Sequence, residues 1–160
     1  MTLNKISTDI FAETNPAFCS LVMLKYCEGY FKETNEGVPF PLMLLPLPII
    51  LSEDLTKTFE GTNRRTGFFR WVENNPELLL NLSERIEDSF EFIKPAVEFG
   101  FYKRILNLGN SGSVIPLSEN INKNKKSNLD KFYKHSGLMG HWFGQIKSVK
   151  TIYNCLGIQI

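Results

Sequence analysis

His135 and His141 are the chain's two histidines, six residues apart. On one helix that spacing turns them away from each other, so they cannot clasp a metal as an i, i+4 pair does. Glu84, Glu87, Asp88 and Glu91 place four carboxylates in two helical turns. They are a possible metal or acid/base cluster, but read more simply as a solvated helix face. Cys19, Cys27 and Cys155 form no C-x-x-C pair, and their odd number argues against a disulfide framework, so reduced thiols in the cytoplasm are expected. "LGNSGS" (108–113) lacks the lysine and following helix of a phosphate loop, and no G-x-S-x-G or H-E-x-x-H is present. This inventory favours a protein without catalytic, cofactor or metal residues. It points instead to binding.

Two sets of residues could bind. Lys123, Lys125, Lys126, Lys131 and Lys134 form a basic run with interspersed Asn and Ser, suited either to phosphate contact or to a solvated loop. Arg64, Arg65 and Arg70 make a second basic group among aromatics. In "GLMGHWFG", Gly137, Gly140 and Gly144 bracket Trp142 and Phe143, so bulky rings and close backbone approach coexist. The pair either packs internally or anchors a partner, since aromatics are enriched at interface hot spots. Charge is unevenly divided: nine Lys or Arg stand against fifteen Asp or Glu through residue 102, and nine against two from residue 103. Such a chain can lie between unlike partners or close on itself.

The elements that must position these groups are mostly helical. Asn15 and Pro16 form a cap and first-turn pair, and the helix they start should run to about Lys32. Phe18, Tyr26 and Tyr30 belong to a set of apolar residues on nearly every face. That makes this helix either central or an interface, with those three rings as candidate partner contacts. "VPFPLMLLPLPIIL" (38–51) has no charge and four prolines. It is too short and too broken to cross a membrane. Pro41 should start a short helix and Pro46 and Pro48 end it, with Leu45 and Leu47 pushed toward extended geometry. The result is a buried elbow, and a charge at Leu44 is expected to abolish folding.

Ser52 should cap a short helix with Glu53 and Asp54 in its first turn, and a helical piece is expected around Phe68 to Val72. A second Asn-Pro pair at Asn75 opens an amphipathic helix with Leu79, Leu82, Ile86, Phe90, Ile93 and Val97 inward and Pro95 as a kink or restart. Gly109, Asn110 and Gly112 between short apolar runs predict a tight hairpin. The expected fold is therefore mainly α: one compact domain over residues 15–160 with a single late β-hairpin, winged-helix-like, preceded by an arm at 1–14. That arm, "MTLNKISTDIFAET", has no secretory pattern.

The order of "NPAF" (15–18), "EGY" (28–30), "PFPLMLLPLPIIL", "NPELL", "GHWF" (140–143) and a terminal "LGI" (156–158) resembles the middle component of bacterial three-component ABC systems, which include the small subunit of Lamassu-type anti-phage defence. The resemblance implies a non-catalytic adaptor between an SMC- or Rad50-like ABC ATPase and an effector, commonly a nuclease. It departs at His141, where the family-like pattern has Arg, and at the extra Pro46, so no contact is assigned to His141. A free-standing winged-helix DNA-binding protein and a hydrolase using the acidic cluster are the competing readings.

Overall fold

The computed structural model describes residues 15–117 and 129–160. The N-terminal arm and Lys123, Lys125 and Lys126 lie outside them. Helix α1 (Pro16–Thr34) begins as its sequence requires: the Asn15 side-chain oxygen accepts the N–H groups of Ala17 and Phe18, at 3.0 and 3.4 Å. It ends at Asn35, whose left-handed backbone (φ 55°) returns an N–H to the Phe31 carbonyl. Buried residues lie all round it, so the central alternative holds. Two long helices, α5 (Leu82–Tyr102) and α6 (Asp130–Ile146), pack on it. Phe18 meets Phe132 and Tyr26 meets Phe143, so α1 and α6 run parallel.

The proline-rich segment is the buried elbow, but its local geometry differs from expectation. A 3-10 turn spans Phe40–Leu44, and α2 (Pro46–Ile50) starts at Pro46 instead of being ended by it. Leu45 is helical (φ −91°, ψ −36°) and Leu47 lies inside α2. The first-turn N–H groups of a helix have no partner within it, so Pro46 and Pro48 forfeit no hydrogen bond there. Leu42, Met43, Leu45, Ile49 and Ile50 are fully enclosed, and the Tyr26 hydroxyl donates to the Leu42 carbonyl at 2.9 Å. Leu44 is only half-buried, which removes the reason to expect that a charge there abolishes folding.

Helix α3 (Glu53–Thr56) follows, but Ser52 does not cap it. Its hydroxyl donates to the Pro48 carbonyl at 2.6 Å and accepts from Arg85 at 3.0 Å. Arg85 also forks onto Asp54, at 2.6 and 3.1 Å, and this hydrogen bonding holds the Asp54 carboxyl below its usual range. Helix α4 (Phe68–Asn74) forms where expected. The second Asn-Pro pair gives only a 3-10 turn, Pro76–Leu79, and α5 starts afresh at Leu82 after a left-handed Asn81. Leu78 therefore enters the core, while Leu79 and Leu80 face outward. Ile86, Ile93 and Val97 are buried as expected, Phe90 is not, and α5 continues through Pro95.

Strands β1 (Leu106–Leu108) and β2 (Val114–Pro116) form the late antiparallel hairpin, with Leu106 opposite Pro116 and Leu108 opposite Val114. Gly112, at φ +75°, supplies the turn conformation that a side chain resists. Val38 exchanges two 2.8 Å hydrogen bonds with Val114 and ties the hairpin to the end of α1. Helix α7 (Val149–Cys155) closes the chain, its first turn bonded by Ser148. The architecture is mainly α with one late hairpin, a winged-helix-like outline.

Candidate functional site

Phe18, Tyr26, Tyr30, Trp142 and Phe143 all lie in the interior, at most 6% exposed. They cannot meet a partner at the surface of this fold, and glycine packing explains why. A Cβ added at Gly29 would lie 2.1 Å from the Gly137 carbonyl oxygen, and one at Gly140 would lie 2.0 Å from that of Tyr26. Only bare backbone permits such an approach. It brings α6 so close to α1 that the Ser136 hydroxyl donates to the Val22 carbonyl at 2.6 Å. Trp142 and Phe143 are thereby driven inward. Trp142 stacks on Phe59 and tilts against Trp71, and its indole N–H reaches the Asn63 carbonyl at 3.1 Å.

The basic groups divide. Lys131 and Lys134 are exposed on α6, and the Lys131 ammonium sits 4.9 Å from the Phe132 ring centre. Arg64, Arg65 and Arg70 are exposed as well. The acidic cluster lies along the open face of α5, and among the described residues no three His, Cys, Asp or Glu are grouped so as to hold a metal ion. Cys19 and Cys27 are buried and Cys155 half-buried, and none of the three is in a disulfide. Burial pushes the Cys27 thiol up, well away from reactive range. His141 has a contact that its sequence position left unassigned: its Nδ1 lies 3.2 Å from a Glu33 carboxylate oxygen.

His135 is stacked on Phe59, ring centres 4.6 Å apart and planes within 10°. Burial lowers its pKa, and the nearby Lys134 and Lys131 ammonium groups add to that. A depressed histidine pKa means that the unfolded chain takes up the proton first. Stability from neutral His135 is therefore complete above its unfolded value and is lost as pH falls through the folded one. Thermal melts from pH 7.5 to 5 should show falling stability in the native protein. In His135→Phe, which keeps the stack without the titration, the slope should be shallower. An unchanged slope would remove His135 as its source.

Two of the concave surfaces outside the core bear on binding. One is a cleft between the open edges of α1 and α6, bordered by the basic residues Lys25, Lys32, Arg64 and Lys134. The other is an apolar groove of about 440 Å³ where α5 meets the elbow and the C-terminal residues. Leu44, Ile86, Phe90, Ile158 and Ile160 line it, with Glu87 at its rim. Phe90 is 49% exposed and Ile160 66%. Counting helical steps assigned Phe90 to the core, because it follows Ile86 by four. Its flanks, Glu87 before and Glu91 after, were the available sign that this side of α5 turns toward water.

No curated protein and no solved structure matches the chain. A family pattern does, over residues 3–160: ABC-three component (ABC-3C) system Middle Component 3. It takes in every element described above, from the cap of α1 to the C-terminal residues of the apolar groove. A middle component is one member of a multi-subunit assembly and partners with the other components of that system. The chain belongs to the Middle Component 3 family of ABC-three component systems.

Proposed function

We propose that the protein is a non-catalytic, cytoplasmic adaptor that links an SMC/Rad50-like ABC ATPase to an effector, commonly a nuclease, in a bacterial anti-phage defence complex. Support comes from the groove around Phe90. A component of a multi-subunit system that leaves Phe90 49% and Ile160 66% exposed beside Leu44 and Ile158 has apolar area to bury on a partner. Glu84, Glu87, Asp88 and Glu91 on the same helix favour a partner segment with basic flanks. The exposed Lys131 and Lys134, together with the sequence run Lys123, Lys125 and Lys126, supply positive charge suited to contact with DNA phosphates. The five interior rings act at one remove, by fixing the helices that carry these surfaces.

The test is co-purification of the tagged protein with the other two components from one cell. The native chain should bring both down, and its emergence alone at moderate salt would end the adaptor reading. Phe90→Asp should melt within about 1 kcal/mol of the native protein, because the ring is already half in water. Its hold on the partner that fills the groove should weaken about 10- to 100-fold, the worth of one buried phenylalanine. Full recovery of both partners by Phe90→Asp would move the interface elsewhere.

A further inference from the structure

The cleft between α1 and α6 gathers positive charge. Three separate elements aim cations at it: Lys25 and Lys32 from α1, Arg64 from the loop before α4, and Lys134 from α6. Glu28 is the one carboxylate among the lining residues, and it already binds Lys25 at 3.3 Å. Lys32, Arg64 and Lys134 enter no ion pair among the described residues. Like charges brought together around a hollow repel one another, and the hollow focuses their field on whatever anion enters it.

The rest of the lining suits the same ligand. Asn63 uses its side-chain oxygen to accept the Arg65 N–H at 2.8 Å, which leaves its amide NH₂ as a donor. The half-buried Tyr133, whose ring tilts against Phe18, also lines it. Gly137 keeps the space open, since a Cβ there would find only the Lys25 carbonyl oxygen within 4 Å, at 3.6 Å. At about 440 Å³ the cleft has the size of a small-molecule site. Its cations come from three elements and share one concavity.

We propose that this cleft binds a compact polyphosphate of the kind a nucleotide carries. Guanidinium and ammonium groups on different elements hold adjacent phosphoryl groups by charge-assisted hydrogen bonds, and Tyr133 borders the place left for a base. The proposal does not depend on the partner groove of the adaptor reading, because the cleft and the groove share no residue; Lys134 alone also belongs to the DNA-contact set, and the hexathymidylate arm below separates the two uses.

The test is calorimetric titration of the full chain with inorganic pyrophosphate, ATP and hexathymidylate. Pyrophosphate should bind at one site, and the double variant Lys32→Ala/Arg64→Ala should weaken it about tenfold or more. Both residues are exposed, so the variant's melting curve should match that of the native chain. A control, Lys147→Ala/Lys150→Ala, removes two exposed charges outside the cleft and should leave binding unchanged. Tighter binding of ATP than of pyrophosphate would extend the site to the nucleotide base, and equal binding would confine it to the phosphate chain. The proposal is overturned if pyrophosphate does not bind, or if it binds equally well to the Lys32/Arg64 variant. It is also overturned if only hexathymidylate binds through these two residues, which would make the cleft a strand contact.

Discussion

Gly140→Ala should destabilise the protein by about 3 kcal/mol, whereas Gly137→Ala, one helical turn earlier, should be neutral or stabilise it by up to about 1 kcal/mol. The two substitutions add the same methyl group to the same helix. At residue 140 that carbon would lie 2.0 Å from the Tyr26 oxygen, 2.9 Å from the Tyr26 carbonyl carbon and 3.1 Å from the Tyr30 nitrogen. All three are backbone atoms of a helix, and no side-chain rotation moves them aside. The whole of α1 would have to retreat, yet it is packed against α6, α5 and the elbow. The strain must also overcome alanine's intrinsic helical advantage of about 1 kcal/mol over glycine. Urea unfolding of both variants decides the matter: equal stabilities would show that α1 and α6 do not meet on bare backbone at Gly140.

How much of this was legible in the sequence depended on whether local chemistry had a competitor. Asn15 and Pro16 start α1 as their types dictate, because nothing else claims the Asn15 side chain. Asn75 and Pro76 are the same pair with another outcome. The Asn75 amide donates to the Trp71 carbonyl at 2.7 Å, closing the end of α4, and the long helix waits until Leu82. Pro46 and Pro48 were readable as helix breakers, but whether a proline ends a helix or begins one depends on where the turn starts, and packing around Leu45 decides that.

The candidate site was harder to read for a related reason. "GLMGHWFG" announced close backbone approach and large rings, and both are present. Which side of the helix those rings face is a tertiary fact. Gly29, the matching gap on α1, gave the only local hint that another helix lies against Gly137. The basic cleft draws on residues 25, 32, 64 and 134, so no window of sequence contains it. Phe90 and Leu44 fail in the opposite direction: hydrophobic type assigned them inward, and the fold leaves them at the groove.

Trp142→Ala should cost about 3–5 kcal/mol, the range for truncating a large aromatic in a packed core. The indole is fully enclosed, and it joins three parts of the chain: α6, which carries it; Phe59 and Trp71 beside it; and the loop carbonyl of Asn63. Removing it opens a cavity and takes one of two donors from that carbonyl, which keeps the Thr66 N–H at 3.1 Å. Trp142→Phe keeps a ring but not the indole N–H, and should lose about half as much. The comparison bears directly on function. A surface anchor would lose partner affinity while the fold stayed intact. An interior ring should lose stability first, with co-purification falling only as the folded fraction falls. Measured beside Phe90→Asp, which should lose the partner while remaining folded, Trp142→Ala separates the residues that build the fold from those that touch a partner. If Trp142→Ala melted like the native protein yet released its partner, the interface would lie at the α6 rings and not at the groove.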